Sequence, residues 1–213
     1  MVIQNVRFWF CWLCRFSWCL IVVLFLFHSE ENVWKLCDFV RMERPAQLEH
    51  LFVVFISNEN RTVPLWKQKS GLGDQPVIWD YHVILMQVGV QPYSLAYDLD
   101  SELSFPCSLK LYATQALRSD RNIRPEYHRK LRVIPADSFL FNFASDRSHM
   151  KNPDGSWRMA PPPYPPIHTE ESQMNLDDFI SMDPAIGWGT IFSLDHFLQR
   201  YTRHSSSSSS ASS

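Results

Sequence analysis

A histidine and an aspartate in two neighbouring extended stretches are the residues best placed to do chemistry. His82 lies within residues 77–85, which are rich in β-branched and aromatic side chains, and Asp98 lies within residues 93–99. Residues 89–92 contain the glycine and the proline of a turn, so the pattern predicts a β-hairpin that brings the two side chains together. An imidazole held by a carboxylate through one nitrogen can act as a general base through the other. The sequence therefore indicates acid–base catalysis, which still requires a nucleophile.

Other interpretations of these residues stay open at this point. A single histidine in an apolar strand is more often a hydrogen-bonded core residue, and Asp98 can equally cap the end of a strand. A rival histidine–carboxylate pair, His149 with Asp146, lies in a polar stretch that is typical of a surface loop. We take His82 and Asp98 as the first candidates.

The composition limits the class of protein. The 213 residues are 46% hydrophobic, enough for one domain with a sizeable core, and 20 basic residues face 22 acidic ones without forming a basic stripe. This balance argues against nucleic acid as a partner. Cys37 and Cys107 are too few for a disulfide framework, and Cys11 and Cys14 lack a second pair or a histidine set that would complete a metal site. We expect no metal.

The two ends of the chain differ in composition from the middle. Residues 8–27 form an apolar run broken by Arg15 and Ser17, long enough for a membrane span or a signal peptide. However, Trp and Phe are spread along the whole run instead of lying at its ends, which argues against a membrane span. No small-residue cleavage site follows the run, which argues against a signal peptide. Residues 204–213 are almost entirely serine and are predicted to be disordered. We therefore expect a folded domain over residues 29–203, with residues 1–28 outside it.

Periodicity and turn residues predict the elements of this domain. Ser29 is placed as the N-cap of a helix, because Glu30 and Glu31 fall in the first turn and apolar residues follow at helical spacing up to Val40. The proline-rich residues 161–166 fit a ligand of SH3 or WW domains or, as we favour, a stiff surface crossing. The remaining predictions are a strand at 51–56 with a return strand at 62–66, a helix at 109–118, a strand or helix edge at 127–133, a core aromatic cluster at 136–144, polar loops at 145–150 and 152–166, a helix capped by Asn175 and running to 182, a strand at 187–192 and a closing helix at 194–201.

Several long runs of the sequence resemble the protein N-terminal glutamine amidohydrolases, a family of enzymes that convert an amino-terminal glutamine to glutamate in the N-degron pathway. The resemblance extends from Ser29 to about Tyr201, which is essentially the whole predicted domain. Runs of this length do not recur by chance. They are residues 30–37, 53–59, 76–83, 97–100, 142–151 and 174–184.

The resemblance implies an α/β (α+β) fold of the papain and transglutaminase kind, with a central antiparallel sheet and flanking helices. It also implies a Cys-His-Asp triad that needs no metal and no cofactor, in which His82 and Asp98 match the histidine and the aspartate of the family. The expected substrates are proteins or peptides that begin with glutamine, and the expected enzyme is a monomer in the cytoplasm and the nucleus. Candidates for binding the α-ammonium of the substrate are Glu30, Asp80 and Asp100, which the sequence does not rank.

Ser29 occupies the position of the cysteine of the family, immediately before Glu30. A thiolate at a helix start is stabilised by the helix dipole and by a neighbouring imidazolium, whereas a serine hydroxyl does not ionise in this way. We therefore expect this difference to cost several orders of magnitude in rate.

Three interpretations of the chain follow from this difference. The residues before Glu30 are of the type that pyrimidine-rich codons at a splice acceptor encode, so residues 1–28 and Ser29 fit translated intron in front of a catalytic amidohydrolase domain. In the second interpretation, the chain binds N-terminal glutamine without converting it. In the third, it is a single-pass membrane protein anchored through residues 1–28.

Overall fold

The computed structural model describes residues 6–9, 22–25, 29–89, 94–158 and 160–202. Its centre is a six-stranded antiparallel sheet with helices packed on both faces. This arrangement confirms the α+β class, whereas a kinship with the papain and transglutaminase folds stays a prediction. The strands are β1 (Val6–Trp9), β2 (Val22–Phe25), β3 (Leu51–Ser57), β4 (Val63–Leu65), β5 (Val77–Trp79), β6 (His82–Gln87), β7 (Leu95–Tyr97), β8 (Cys107–Ser108), β9 (Lys130–Pro135) and β10 (Thr190–Ser193), and the helices are α1 (Ser29–Glu43), α2 (Pro45–Leu48), α3 (Leu109–Tyr112), α4 (Ala136–Asn142), α5 (Leu176–Ile180) and α6 (Leu194–Tyr201).

The hydrophobic strand β3 lies at the centre of the sheet, whose order is β10-β9-β3-β6-β7-β8. Its side chains alternate between two cores. Val53 and Phe55 pack with residues of α1 and α4, whereas Val54 and Ile56 pack with residues of α3 and α6. Because both faces of this strand are covered, it is apolar at nearly every position instead of alternating with polar residues.

Helix α1 begins at Ser29 and packs on β6. Glu30 and Glu31 lie in its first turn, where the peptide dipoles favour negative charge. The predicted helix is confirmed and extends to Glu43. The residues that hold α1 on the sheet share one helical face and are Val33, Leu36, Cys37 and Val40.

The predicted hairpin is confirmed for β6 and β7, which pair antiparallel with Leu85 opposite Tyr97. Residues 90–93, which belong to the predicted turn and the start of the second strand, lie outside the described residues. His82 is the first residue of β6, and Asp98 directly follows β7. Because the strands run in opposite directions, both candidate side chains are placed at the same end of the hairpin.

Two predictions about the neighbouring strands are wrong. Residues 77–85 are not one strand, because the chain turns at Asp80 and Tyr81. The Asp80 carbonyl accepts a hydrogen bond from Ser57 Oγ at 2.8 Å, and the Asp80 carboxylate accepts one from the Tyr81 amide at 2.9 Å. The return strand predicted at 62–66 is β4, which pairs with β5 and not with β3, since β6 and β9 occupy both edges of β3.

Most elements of the C-terminal half are confirmed with small shifts. The helix predicted at 109–118 is α3, continued by a π-helical turn over Ala113–Leu117. The stretch predicted at 127–133 as a strand or helix edge is the strand β9, and β10 and α6 follow as expected. The aromatic cluster at 136–144 belongs only partly to the core, since Phe139 and Phe143 are buried whereas Phe141 is 80% exposed.

Asn175 precedes α5 as predicted, but its side chain does not cap the helix. Asn175 Oδ1 accepts a hydrogen bond from the Ala144 amide at 2.8 Å, and Nδ2 donates to the Asn142 carbonyl at 2.7 Å. The side chain is thus occupied in tying the end of α4 to the start of α5, and the capping prediction is wrong.

The loops at 145–150 and 161–166 are joined through Arg147. Its Nη1 donates to the carbonyls of Pro162 and Tyr164, and its Nη2 donates to that of Pro165, over 3.0–3.4 Å. The proline-rich segment is therefore held against the domain, which favours its interpretation as a surface crossing.

The N-terminal apolar run is described only near its two ends, where β1 pairs antiparallel with β2. Cys11, Cys14, Arg15 and Ser17 lie outside the described residues, and so does the serine-rich tail from 203 onward. Among the helices of the described part, none combines the length and the apolar character that crossing a membrane requires. The assignment of residues 1–28 to a segment outside the domain stays a prediction.

Candidate active site

His82 and Asp98 form a buried pair at the end of the β6–β7 hairpin. His82 Nε2 lies 2.9 Å from Asp98 Oδ1, and the two side chains are 1% and 2% exposed. Because an ionised carboxylate only accepts hydrogen bonds, Nε2 carries the proton, and Nδ1 of the neutral imidazole is left as an acceptor. Nδ1 is buried and has no hydrogen-bond partner among the described residues. In the neutral imidazole, this nitrogen can therefore act as a general base.

Four donors hold the Asp98 carboxylate in place. Besides His82, Oδ1 accepts a hydrogen bond from the Asp100 amide at 3.0 Å. Oδ2 accepts one from the Tyr112 hydroxyl at 2.8 Å and one from Gln68 Nε2 at 3.3 Å. Tyr112 and Gln68 are themselves buried. The donors replace the hydration that the carboxylate loses on burial, and they fix its orientation.

The electrostatics of the pair favour charge on both members. Burial raises the pKa of Asp98, but the His82 charge and the hydrogen bonds from His82, Tyr112 and the Asp100 amide outweigh it and leave the pKa below its ordinary value. Burial lowers the pKa of His82, but the charges of Asp98, Asp100 and Glu30 outweigh that effect and leave it raised. Asp98 thus stabilises the imidazolium that forms when Nδ1 accepts a proton.

Ser29 is the first residue of α1 and is partly exposed. Its Oγ lies 3.5 Å from Glu30 Oε2, at the outer limit of a hydrogen bond. The first backbone N–H groups of a helix have no partner within the helix and point out of its N-terminal end. The Glu30 amide donates to the Glu30 carboxylate. A negatively charged oxygen formed close to Ser29 would meet those of the other donors that no side chain uses, which is the requirement for an oxyanion hole.

Glu31 and Arg147 form a second buried ion pair at the same helix start. Arg147 Nε and Nη2 donate to the two oxygens of Glu31 at 2.7 and 2.8 Å, and the side chains are 4% and 0% exposed. The guanidinium also lies 4.9 Å from the centroid of the Tyr164 ring. This bidentate geometry offsets the desolvation of both charges and joins α1 to the two loops that Arg147 holds.

Glu30 is fully buried but is much less well paired. Its Oε1 has no hydrogen-bond partner among the described residues, and His149 Nε2 lies 3.7 Å from it, too far for a hydrogen bond. Burial and the charge of Glu31 raise the pKa of Glu30 to about 7, against the opposing hydrogen bonds of its own amide, Tyr81 and Ser29. Burial also lowers the pKa of His149.

The rival pair, His149 with Asp146, is not joined by a hydrogen bond, because neither ring nitrogen of His149 has a partner among the described residues. The exposed Asp146 carboxylate accepts a hydrogen bond from the Ser148 amide at 2.8 Å, which closes a turn of the loop. His149 approaches Glu30 instead. The loop therefore delivers its histidine to the start of α1, where sequence reasoning placed no partner for it.

Sequence reasoning also missed residues that support the pair. Tyr112 lies in the predicted helix at 109–118, and no local pattern distinguishes a tyrosine that only packs in the core from one that donates to a buried carboxylate. Gln68 lies between the predicted strands and carries no local signal, and Arg147 is buried although it lies in the predicted polar loop at 145–150. The one available signal was that Arg147 lies in a run that carries the family resemblance.

His82, Asp98 and Asp100 have side chains that can ligate a metal, and their ligand atoms lie within 4.8 Å of one another. Both oxygens of Asp98, however, already accept hydrogen bonds, and His82 Nε2 is directed at one of them. A shared cation would have to displace these donors. The arrangement therefore fits an acid–base pair better than a metal centre.

The site combines a buried, oriented histidine–aspartate pair with a helix start, on the antiparallel sheet of an α+β fold. Hydrolases that work with a side-chain nucleophile and a histidine base have this arrangement. Residues 25–201 match the model of the N-terminal glutamine amidase family. The chain belongs to this family.

Three curated relatives agree with this assignment, and each is named protein N-terminal glutamine amidohydrolase. The relative from Danio rerio is 56% identical over 174 residues, which cover 82% of this chain and 86% of that protein. The relative from Bos taurus is 53% identical over 175 residues, covering 82% and 84%. The relative from Homo sapiens is 52% identical over 174 residues, covering 82% and 85%.

Proposed function

We propose that the chain is an amidohydrolase that acts on the amino-terminal glutamine of proteins and peptides and releases ammonia to leave glutamate. The name of the relatives states the reaction class, and the family match spans nearly the whole described domain. The observation that carries the proposal is the buried His82–Asp98 bond, which leaves His82 Nδ1 as a free acceptor inside the matched region.

The proposed mechanism uses a nucleophile at position 29. The nucleophile attacks the side-chain amide carbon of the glutamine while His82 Nδ1 takes its proton, and the N-terminal amides of α1 stabilise the tetrahedral oxyanion. His82 returns the proton to the amide nitrogen, which leaves as ammonia and gives an acyl-enzyme. Water then attacks the acyl carbon, with His82 again accepting and returning a proton, and glutamate is released.

Ser29 is the feature that favours a second candidate function. A thiol at this position would ionise with the help of the helix dipole, whereas a hydroxyl depends entirely on His82 to remove its proton. A chain that keeps the site but turns over slowly would bind proteins with N-terminal glutamine without converting them. A monomer in the cytoplasm and the nucleus is a further proposal that the family resemblance supports. Membrane attachment is proposed only through residues 1–28, and its support is their apolar run.

Ammonia release from a glutamine-initiated peptide tests the proposal in three forms of the protein. They are the chain as it stands, the full chain with Ser29→Cys, and a form that lacks residues 1–28 and carries Ser29→Cys. We expect both cysteine forms to be active and the serine form to be slower by several orders of magnitude. The control is a peptide of the same composition in which the glutamine is internal, and it should release no ammonia.

Each other outcome has a definite meaning. Equal activity of the serine and cysteine forms would show that Ser29 is a working nucleophile or that position 29 is not the nucleophile. Activity in neither form would remove the support for the amidohydrolase. Binding of the peptide by the serine form without ammonia release would establish the second candidate function for this chain.

A further inference from the structure

A glutamine at the amino terminus differs from an internal glutamine by its α-ammonium group. An enzyme that accepts only the terminal residue therefore needs a group that binds this cation. The side-chain amide carbon is four bonds from the ammonium nitrogen, or roughly 4–5 Å at bond lengths near 1.5 Å. The cation site must accordingly lie one side-chain length from the nucleophile at position 29.

Most acidic side chains around His82 are already compensated. Asp98 accepts four hydrogen bonds, and Glu31 forms a bidentate pair with Arg147. Burial and the charge of Asp98 raise the pKa of Asp100, and the charges of His82 and Lys69 offset part of this effect. Asp80 is exposed, so water screens its charge. These residues offer little unsatisfied negative charge to a substrate.

Glu30 is the exception. Its side chain is 1% exposed, yet Oε1 has no hydrogen-bond partner among the described residues. Both ring nitrogens of His149 also have no partner in the described part of the chain, and Nε2 is 3.7 Å from Glu30 Oε1. The free oxygen faces His149, whose side chain is 24% exposed and so connects this position with the surface. A buried carboxylate oxygen and buried ring nitrogens that have no hydrogen-bond partner are costly unless a ligand satisfies them.

We propose that Glu30 Oε1, with His149 Nε2 as a second acceptor, binds the α-ammonium of the N-terminal glutamine. This inference rests on the proposed function and assigns a specificity-determining residue to it. An ammonium has three donors, of which the peptide would direct one to Glu30 and one to the neutral imidazole. Because Ser29 and Glu30 are adjacent, with Ser29 Oγ 3.5 Å from Glu30 Oε2, the same ligand can reach the nucleophile with its side-chain amide.

Glu31 explains why the neighbouring carboxylate does not serve the same purpose. Both of its oxygens are bound by Arg147, so an approaching ammonium would meet the guanidinium as well. Glu30 has no cation of that kind, and its Oε1 has no hydrogen-bond partner among the described residues, so it can accept an incoming donor. The two consecutive acids of the helix thus have different roles, one joining the loops to α1 and one binding substrate.

The test compares two ligands on the chain as it stands, because the slow turnover expected of the serine form lets the complex persist. One is a glutamine-initiated peptide, and the other is its desamino analogue, which keeps the side-chain amide but has hydrogen in place of the α-ammonium. The readout is the ratio of the two Kd values by calorimetry. We expect the parent to prefer the ammonium peptide by about 10- to 100-fold, as for a charge-assisted hydrogen bond.

Glu30→Gln should abolish this preference and leave the affinity for the desamino peptide within about twofold, because glutamine has the shape of glutamate without its charge. Glu30→Asp, which keeps the charge but withdraws it by one methylene, should give an intermediate ratio and serves if Glu30→Gln does not fold. Asp80→Asn, at an exposed carboxylate, is the matched control and should leave the ratio unchanged.

An unchanged ratio in both Glu30 variants would overturn the assignment, whether the two Kd values stay the same or rise together, since neither result points to the ammonium. A parent without any preference would overturn it as well. If the parent binds neither peptide, and its Ser29→Cys form also releases no ammonia, the proposed function itself fails. That result differs from a failure of the Glu30 assignment alone, in which the peptides bind and are converted.

Discussion

Two acid–histidine pairs lie close to the start of α1, and they are built in opposite ways. His82 and Asp98 are joined by a hydrogen bond of 2.9 Å, and the carboxylate has three further donors. His149 and Glu30 stand 3.7 Å apart, and the facing atoms have no hydrogen-bond partner among the described residues. The pairs contain the same two kinds of chemical group, and all four side chains are largely removed from water.

The pKa shifts of the two pairs go in opposite directions for this reason. Asp98 has a lowered pKa and His82 a raised one, because their mutual bond and the extra donors outweigh burial. Glu30 has a pKa raised to about 7 and His149 a lowered one, because burial is not outweighed. Burial alone thus does not decide whether a pair is charged. The hydrogen-bond donors around the carboxylate decide whether the pair is charged. They make His82–Asp98 suited to proton transfer, whereas their absence at Glu30 Oε1 leaves that atom available to a ligand.

The largest effect is expected from changing the well-ordered pair. Asp98→Asn, made in the Ser29→Cys chain, gives His82 Nε2 an amide that can donate to it, so the imidazole can take the tautomer in which Nδ1 carries the proton. We expect kcat for ammonia release to fall on the order of 10⁴-fold. Tyr112→Phe, which removes one of the four donors and keeps the carboxylate, is the matched control and should cost far less. A loss below tenfold for Asp98→Asn would place the general base elsewhere.

Arg147→Met tests whether donors determine the cost of burying a carboxylate, at Glu31, the buried acid next to Glu30. The substitution leaves Glu31 buried without its cation, so that both acids of the first turn become uncompensated. We expect the free energy of unfolding, measured with urea, to fall by about 3–5 kcal/mol. Adding Glu31→Gln removes the stranded charge and should restore a large part of the loss. A loss of stability that Glu31→Gln does not relieve would show that Arg147 acts mainly through the loop carbonyls.

The sequence predicts the well-ordered pair much better than the open one. His82 and Asp98 are 16 residues apart and are joined by a hairpin, which strand and turn patterns define locally. Glu31 and Arg147 are 116 residues apart, and no periodicity encodes a contact over such a separation. The approach of His149 to Glu30 is not predicted, and the pairing of β4 is predicted wrongly, for the same reason, since both depend on which distant segments pack together.

Position 29 illustrates another limit of prediction. Helix α1 and its acidic first turn follow from the sequence, but a helix start alone does not identify a nucleophile. Only the family resemblance identifies position 29, occupied by Ser29, as that of the nucleophile. The geometry adds that the charge of the next residue, Glu30, acts on His82, which relates the helix start to the pair on the sheet.

The pH dependence of stability gives the smallest and most specific test of the comparison. The pKa of Glu30 is raised from 4.5 to about 7 in the folded protein, so folding favours its protonated form. This contribution to stability is fully present below about pH 4.5 and is lost as the pH rises through about 7. Glutamine never ionises, so Glu30→Gln does not lose this contribution. The free energy of unfolding of Glu30→Gln minus that of the parent should therefore rise by about 3 kcal/mol from pH 4 to pH 8, from 1.36 kcal/mol per pKa unit. Urea unfolding at both pH values measures this change, with Asp80→Asn as the control for removing an exposed carboxylate. If the difference does not change with pH, Glu30 has a donor as effective as those of Asp98, and the contrast between the two pairs disappears.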